Sequence, residues 1–257
     1  MVYLGDNLLK GGIADQADAF RASNADATVL LSKVTEPQRF GVAQFDSKGK
    51  LENLVEKPKQ PPSPYALVGV YFFDPKIFEA IRPLKPSWRG ELEITEAIQN
   101  LLESGCTVDH MFVQGWWKDT GTPEDILEAN RLVLDDKLGD SSIEGIVDEG
   151  AVVQGRVRIG KGTTISKGVT IRGPASVGSN ATVAQGTYVG PYTSIGSGCS
   201  LLGCEVENTI IMDSCRITAR SRIVDSLVGR ETEITSEDDE MPRGHRFILG
   251  EGSRVIL

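Results

Sequence analysis

The sequence predicts a chain of two parts, an α/β domain followed by a parallel β-helix, and two observations support this prediction. Residues 1 to about 137 alternate strand and helix patterns, which is typical of a mixed α/β domain. The second half contains ten aliphatic residues spaced six apart. Helices repeat about every 3.6 residues and strands about every 2, so a period of six needs short strands and turns coiling around one axis. The ten positions are Val147, Val153, Ile159, Ile165, Ile171, Val177, Val183, Val189, Ile195 and Leu201.

Each element of the first half follows from spacing or from turn chemistry. A nine-residue run of apolar and aromatic residues at 65–73 predicts a buried strand, and Asp74 followed by Pro75 predicts a helix start. The hairpin is predicted by the turn at residues 47–50. The predicted elements are a helix at 13–22, a strand at 28–34, hairpin strands at 42–45 and 51–55, a strand at 66–73, a helix from 75, a helix at 93–103, a strand at 108–113 and a helix opening at Thr122-Pro123.

The period of six breaks after Leu201, because position 207 is Glu, and it resumes at Ile211. We expect a loop at residues 205–209 to absorb this slip, since solenoids tolerate insertions on one face. At about 18 residues per coil, residues 142–235 hold about five coils. The acidic residues 236–240 predict a solvated loop, and residues 247–257 predict a closing strand.

Composition narrows the function classes. A formal net charge of −9 and the lack of a basic cluster argue against nucleic acid as a partner. The longest apolar run is too short to span a bilayer, and no secretion signal or membrane partner is expected. Four cysteines without a C-x-x-C pair predict free thiols and a cytoplasmic location, and the exposed flanks of a β-helix predict a homo-oligomer.

Two aspartates are candidate metal ligands. Asp6 and Asn7 follow an apolar strand, and Asp119 precedes a helix. Together the carboxylates could hold one Mg²⁺, which takes carboxylate and phosphate oxygens. The alternative is that each aspartate is only a turn former.

Three further residues are candidates for binding a phosphorylated sugar. Lys57 and Arg89 suit a phosphate, and Glu56 suits sugar hydroxyls. Taken singly, Lys57 or Arg89 would most often be a surface charge, and the constellation is stronger than its members.

Five motifs in this order resemble the sugar-1-phosphate nucleotidyltransferases, and within them the long glucose-1-phosphate thymidylyltransferases that carry a left-handed β-helix. They are Val2-Tyr3-Leu4-Gly5-Asp6-Asn7, Glu36-Pro37-Gln38-Arg39-Phe40-Gly41-Val42, Leu54-Val55-Glu56-Lys57-Pro58, Arg89-Gly90-Glu91-Leu92-Glu93-Ile94-Thr95 and Trp116-Trp117-Lys118-Asp119-Thr120-Gly121. The resemblance implies part of a mixed-sheet nucleotidyltransferase domain at residues 1–138 and a hexapeptide-repeat, left-handed β-helix at 139–257.

The resemblance also implies the chemistry. In this family a sugar 1-phosphate attacks the α-phosphorus of a nucleoside triphosphate and pyrophosphate leaves. Asp6 and Asp119 would hold Mg²⁺, and Lys57 and Arg89 would bind the sugar phosphate as the catalytic pair. The residues implied to contact the sugar are Asn7, Gly41, Glu56 and Gly69. The resemblance suggests dTTP and glucose 1-phosphate, with UTP or another hexose phosphate left open.

One departure from the family pattern concerns the triphosphate. The family opens with a Gly-rich loop of the type G-x-G-T-R-L, and this sequence has no such loop. The sequence could be a fragment or carry a misassigned start, a separate N-terminal fragment could supply the loop, or the domain could have lost catalysis. We expect the chain alone to have little activity, and its sheet to expose an apolar edge.

Two other classes of function remain as alternatives. One is a non-catalytic β-helix subunit that oligomerises or regulates. The other is a hexapeptide acyltransferase, which needs a general base, usually His, beside the coils. The only histidines are His110 and His245, and neither lies in the regular hexads.

Overall fold

The computed structural model describes residues 1–236, and the chain divides into two compact units, residues 1–120 and residues 121–257. This division places the helix that follows Thr122 in the second unit, whereas the sequence-based division at residues 138 and 139, which stays a prediction, places it in the first. The acidic residues 237–240, His245 and the predicted strand at 247–257 lie outside the described residues.

The first unit contains three helices and eight strands, as well as a 3-10 turn at Pro37–Arg39. The helices are α1 (Ala14–Ala22), α2 (Ile77–Ile81) and α3 (Ile94–Glu103). The strands are β1 (Val2–Tyr3), β2 (Asn7–Leu9), β3 (Ala27–Lys33), β4 (Gly41–Phe45), β5 (Leu51–Glu56), β6 (Tyr65–Phe73), β7 (Val108–Phe112) and β8 (Trp117–Asp119).

A mixed sheet in the order β5-β4-β6-β3-β7 forms the centre of the first unit, and β6 is its most buried strand. β3 runs parallel to β7 and antiparallel to β6. Residues 66–72 of β6 are all buried. Because successive side chains of a strand face opposite sides, Leu67 and Tyr71 enter one apolar core while Val68 and Val70 enter the other. The apolar run at 65–73 is therefore a strand covered on both faces, as predicted.

The predicted elements of the first unit are confirmed with boundaries that shift by one or two residues, except at the start of α2. We predicted Pro75 as the first helical residue, capped by Asp74, but α2 begins at Ile77. The Asp74 carboxylate accepts a hydrogen bond from the Lys76 amide at 2.7 Å. This is the bond of an N-cap carboxylate, so the predicted cap is present, and the Ile77 amide also donates to the Asp74 carbonyl at 3.3 Å in the turn that precedes α2.

An apolar edge is exposed at β1. This strand pairs with β6 on one side, and no other strand among residues 1–236 pairs with it. Val2, Tyr3 and Leu4 are 39, 41 and 42% exposed. The edge has the character expected from the sequence.

The second unit contains one helix, α4 (Pro123–Lys137), and seventeen short strands within its described part. As predicted, Pro123 is the first helical residue of α4 and the Thr122 hydroxyl accepts from the Asp125 amide. The strands are β9 (Ser142–Ile143), β10 (Ile146–Val147), β11 (Val152–Gln154), β12 (Val157–Ile159), β13 (Thr164–Ile165), β14 (Thr170–Arg172), β15 (Ala175–Val177), β16 (Thr182–Val183), β17 (Tyr188–Val189), β18 (Thr193–Ile195), β19 (Ser200–Leu202), β20 (Glu205–Glu207), β21 (Ile210–Ile211), β22 (Arg216–Thr218), β23 (Arg222–Val224), β24 (Leu227–Val228) and β25 (Glu233–Thr235).

These strands stack into three parallel sheets, which confirms the predicted β-helix of about five coils. In the first coils, equivalent residues are 18 positions apart, as in the pairing of Val153 with Ile171. The ten predicted aliphatic residues all belong to one core or pack against it. Ile159, Ile165 and Ile171 are completely buried. The period of six therefore marks the residues that face the axis.

The predicted loop at residues 205–209 is wrong. Residues 205–207 form β20, in which Val206 pairs with Val189 and Ile223 of the neighbouring coils. The inward positions Leu201, Val206 and Ile211 lie five residues apart. One residue is thus missing at each of two corners, and nothing is inserted. A corner of a coil can be one residue shorter without changing which side chain of the next strand faces the axis.

The four cysteines are free thiols, as predicted, and Cys199, Cys204 and Cys215 are buried in the β-helix. Across residues 1–236, no helix has the length and apolar character needed to cross a bilayer.

Ile171→Lys is expected to destabilise the second unit by about 3–5 kcal/mol, because it buries a charge without a partner. Thr182→Lys is the matched control, because Thr182 is exposed on the outer face of β16. Its effect should stay within about 0.5 kcal/mol. Denaturant unfolding followed by far-UV circular dichroism measures both variants. Equal stability of the two would contradict the assignment of Ile171 to the axis.

Candidate active site

The structure gathers the predicted site residues of the first unit into two groups. We call the first the amide cluster, which consists of Asp6, Asn7, Gly69, Trp117 and Asp119. The second is the carboxylate cluster, which consists of Gly41, Glu56, Arg89, Glu93 and Thr95. Lys57 directly follows Glu56 at the end of β5.

The amide cluster forms where β2 pairs with β8. Asn7 lies opposite Asp119 in this antiparallel pair. The amide and the hydroxyl of Thr120 both donate to the Asp6 carbonyl at 2.8 Å. The pairing therefore brings together two candidate metal ligands that are 113 positions apart in the sequence. Asp119 lies opposite Asn7, and Asp6 directly precedes Asn7.

Asn7 is the centre of this cluster and is only 4% exposed. Its Oδ1 accepts from the indole Nε1 of Trp117 at 2.6 Å and from the Gly69 amide at 3.4 Å. Its Nδ2 donates to Asp6 Oδ1 at 2.8 Å. An indole N–H can only donate, so Trp117 fixes which end of the Asn7 amide is the oxygen. The nitrogen must then face Asp6, and this bond orients the Asp6 carboxylate.

Gly69 and Gly41 lie where neighbouring side chains leave no space for a Cβ atom. A Cβ on Gly69 would lie 2.6 Å from Asn7 Nδ2 and 2.9 Å from a Leu4 methyl carbon. A Cβ on Gly41 would lie 2.6 Å from a Thr95 methyl carbon and 3.0 Å from Glu56 Oε2. Both glycines therefore let neighbouring side chains approach the sheet closely.

The two clusters share one face of the sheet. A Cβ on Gly41 would also meet Leu67 at 3.5 Å, and Leu67 lies two residues before Gly69 on β6. Positions two apart on a strand face the same side. Tyr71 continues this row; burial, and then the Glu56 charge, raise the pKa of its hydroxyl.

In the carboxylate cluster, Glu56 and Glu93 are held by hydroxyl groups. Glu56 Oε2 accepts from Thr95 Oγ1 at 3.1 Å, and Glu93 Oε1 accepts from Ser87 Oγ at 2.8 Å. Arg89 lies between them, with nitrogen to oxygen distances of 3.3 Å to Glu93 and 3.7 Å to Glu56. Burial raises the pKa of Glu56, against the lowering effect of the Thr95 hydroxyl.

Lys57 differs from Arg89 in being exposed and unpaired. Within residues 1–236, its side chain has no hydrogen bond and no ion pair. Its backbone φ is 40°, in the left-handed region that non-glycine residues rarely occupy. Such strain often accompanies functional positions. The Lys57 amide donates to the Phe40 carbonyl at 3.0 Å, which anchors this conformation beside Gly41.

The donor set of the amide cluster fits Mg²⁺. No group of three or more His, Cys, Asp or Glu side chains suited to a metal occurs among residues 1–236. Two aspartates remain, and Mg²⁺ commonly takes one or two carboxylates and completes its shell with water and substrate phosphates. Asp6 and Asp119 stay the predicted ligands of such an ion.

Sequence reasoning did not assign a role to three residues of these clusters. Trp117, Glu93 and Thr95 lie within the quoted motifs, but their contacts depend on which strands are neighbours. For Trp117, the one feature of the sequence that indicates a role is its position: it places an indole N–H donor two residues before Asp119.

Gly69→Ala is expected to cost about 1–3 kcal/mol, because Asn7 is buried and bonded and cannot move aside. It should also shift the Trp117 indole N–H resonance, which reports the bond to Asn7. Gly139→Ala is the control, because a Cβ there meets nothing within 4 Å. If both variants unfold at the same denaturant concentration and leave that resonance unchanged, the close approach at Gly69 is refuted.

The raised pKa of Glu56 predicts a pH-dependent stability. The folded protein binds the Glu56 proton more readily than the unfolded chain, whose carboxyl has the ordinary value of 4.5. Wild type should therefore lose stability relative to Glu56→Gln as the pH rises through the range just above 4.5. Unfolding free energies of both proteins at pH 4 and pH 7 measure this difference. A difference that is constant, or that changes in the opposite direction, would contradict it.

Comparison with known proteins identifies the family. A family model described as nucleotidyl transferase matches residues 1–136, and one described as the GMPPB C-terminal domain matches residues 171–239. The low-salt glycan biosynthesis nucleotidyltransferase Agl11 of Haloferax volcanii is 48% identical over 257 residues, which are 100% of this chain and 71% of that protein. Glucose-1-phosphate thymidylyltransferases of Streptomyces antibioticus and Streptomyces griseus are 46% and 42% identical, and their alignments also cover 100% of this chain and 71% of each relative.

The family model covers more than half of the chain, and the relatives align with all of it. The motifs that predicted the family lie at the paired strands and glycines of the two clusters. The chain therefore belongs to the sugar-1-phosphate nucleotidyltransferases.

Proposed function

We propose that this chain acts in nucleotidyl transfer from dTTP to glucose 1-phosphate, with release of pyrophosphate, in nucleotide-sugar biosynthesis. The names of the two Streptomyces relatives support the choice of thymidine and glucose. The observation that carries the proposal is the shared sheet face on which Gly41, Glu56 and Gly69 lie, with two cationic side chains at its margin.

Lys57 and Arg89 bind the phosphate of the sugar substrate in this proposal, and they are its catalytic residues. The Lys57 ammonium is exposed and supplies a point charge. The planar Arg89 guanidinium supplies paired donors, which match a phosphate group. Together they neutralise the charge that otherwise keeps a phosphate oxygen from approaching the α-phosphorus of the nucleotide.

The sugar ring packs beside the Asn7 and Glu56 side chains. Gly41 and Gly69 contribute by letting Thr95 and Asn7 lie close to the sheet, and the Glu56 carboxylate accepts hydrogen bonds from sugar hydroxyls. The second hydrogen of the Asn7 amide remains available for a sugar oxygen once the first is donated to Asp6. Loss of water from this face strengthens each of these polar contacts.

Asp6 and Asp119 hold Mg²⁺ in this proposal. When bound, the ion neutralises phosphate charge and aligns the reacting groups. The chain itself contributes to ion binding through the hydrogen bond from Asn7, which fixes the orientation of the Asp6 carboxylate.

The 257-residue polypeptide tested by itself should be a poor transferase, because no G-x-G-T-R-L loop occurs in its sequence. Such loops hold a triphosphate through their backbone amides. We propose a cytoplasmic protein that forms a homo-oligomer through the β-helix; the free thiols support the cytoplasmic location. The partners are the two substrates and, in one arrangement, a separate N-terminal fragment that supplies the loop.

The second candidate function is a non-catalytic β-helix subunit. It is favoured only if no other segment supplies the Gly-rich loop. Acyl transfer has less support. His110 packs against Phe45 and Phe112, and residues 121–236 contain no histidine beside the coils.

Lys57→Ala and Arg89→Ala should each weaken binding of glucose 1-phosphate about 10- to 100-fold, the range for losing a charge-assisted hydrogen bond. Lys59→Ala is the matched control, because Lys59 is also exposed and lies two residues away. Isothermal titration calorimetry with glucose 1-phosphate, and with glucose as the uncharged reference, measures the effect. Equal weakening by all three variants, or by none, would contradict the assignment.

Pyrophosphate release from dTTP and glucose 1-phosphate tests the reaction itself, with Mg²⁺ and with chelator. The polypeptide should be nearly inactive alone and active once a segment containing the Gly-rich loop is added. Full activity without that segment would refute the proposed need for it. Inactivity under both conditions, with glucose 1-phosphate binding retained, would favour the non-catalytic candidate.

A further inference from the structure

Arg89 is surrounded by three carboxylates rather than one. Its guanidinium nitrogens lie 2.8 Å from Glu91, 3.3 Å from Glu93 and 3.7 Å from Glu56. The shortest of these three contacts is therefore the one to Glu91.

These carboxylates differ in how firmly they are held. The side chains of Glu93 and Glu56 are 8% and 18% exposed, and each accepts a hydrogen bond from a hydroxyl group. The Glu91 side chain is 59% exposed. Arg89 is the only partner of its carboxylate within residues 1–236. Glu91 is consequently the carboxylate that can leave without breaking another bond.

The turn that carries Arg89 and Glu91 does not depend on their ion pair. The Ser87 amide donates to the Glu91 carbonyl at 2.8 Å, and the Gly90 amide donates to the Ser87 carbonyl at 2.8 Å. The Arg89 amide donates to Ser87 Oγ at 3.1 Å. Gly90 has a φ of 77°, which suits a tight turn. The turn therefore keeps its shape when the Glu91 carboxylate moves away.

We propose that Glu91 competes with phosphate for Arg89 and so sets the affinity of the site, an inference that rests on the proposed function of Arg89. In the free protein the Glu91 carboxylate occupies one terminal nitrogen of the guanidinium. The phosphate of the sugar substrate displaces it, and Glu56 and Glu93 keep the guanidinium in place during the exchange.

The charges explain why the exchange is needed. Three ionised carboxylates around one guanidinium leave the cluster negative, and a phosphate dianion entering it is repelled. Departure of the Glu91 carboxylate into solvent removes one negative charge and frees the guanidinium nitrogen that it contacts. A ligand must then bind Arg89 better than a carboxylate does, which favours a dianionic phosphate over a sugar without one.

The test is the affinity of the full chain for glucose 1-phosphate and for inorganic phosphate, measured by calorimetry. Glu91→Gln should bind both ligands about 3- to 5-fold more tightly, which corresponds to an exposed ion pair. The gain should shrink at high salt, because exposed charges are screened. Glu79→Gln, the same charge change at an exposed position of α2, should leave both affinities unchanged.

A double-mutant cycle separates this role from a general effect of charge. In an Arg89→Met background, Glu91→Gln should give no gain, because the competition acts through the guanidinium. Affinity in Glu91→Gln no tighter than in Glu79→Gln, or a gain that survives in Arg89→Met, would overturn the inference. If Arg89→Met does not weaken binding of glucose 1-phosphate, the proposed function of Arg89 fails and this inference fails with it. If Arg89→Met weakens binding but Glu91→Gln does not tighten it, only this inference fails.

Discussion

A buried side-chain amide needs a donor for its oxygen and an acceptor for its nitrogen, and Asn7 finds both on different strands. Trp117 of β8 and Gly69 of β6 donate to its oxygen, and Asp6 accepts from its nitrogen. Losing any one of these hydrogen bonds would lower the free energy of unfolding by about 1–3 kcal/mol. This requirement ties β2, β6 and β8 together. The Asn7 amide also orients the Asp6 carboxylate, and Asp6 directly precedes the residue that pairs with Asp119.

The glycines make this arrangement possible. Asn7 can sit against β6 only because Gly69 has no side chain, and Thr95 can approach β4 only because Gly41 has none. Thr95, which fills the space at Gly41, also donates a hydrogen bond to Glu56, and Arg89 lies 3.7 Å from the same carboxylate. Packing and the candidate chemistry thus depend on the same two positions. The β-helix needs no such arrangement, because each coil contacts mainly its neighbours.

Much of the fold could be predicted because its signals are local and repeated. One axis-facing residue per strand explains why the period of six identified Ile159, Ile165 and Ile171 as core. Counting in sixes failed between Leu201 and Ile211, because a corner that loses one residue shifts the count without disturbing the strand. The start of α2 was misplaced by two residues, because a turn capped by the Asp74 carboxylate precedes the α-helix. In the site, the motifs indicated Glu56 and Arg89 but not their partners Thr95 and Glu93. Those contacts arise only when α3 and the Ser87 turn pack against the end of β5.

A crystal structure of the chain with glucose 1-phosphate is the most direct test of the central claim, that the face containing Gly41, Gly69 and Glu56 binds a sugar 1-phosphate. The account predicts the sugar ring beside the Asn7 and Glu56 side chains, with its phosphate in hydrogen-bond distance of Lys57 Nζ and the Arg89 guanidinium. A ligand bound elsewhere on the first unit, or a phosphate that contacts neither cation, would contradict it.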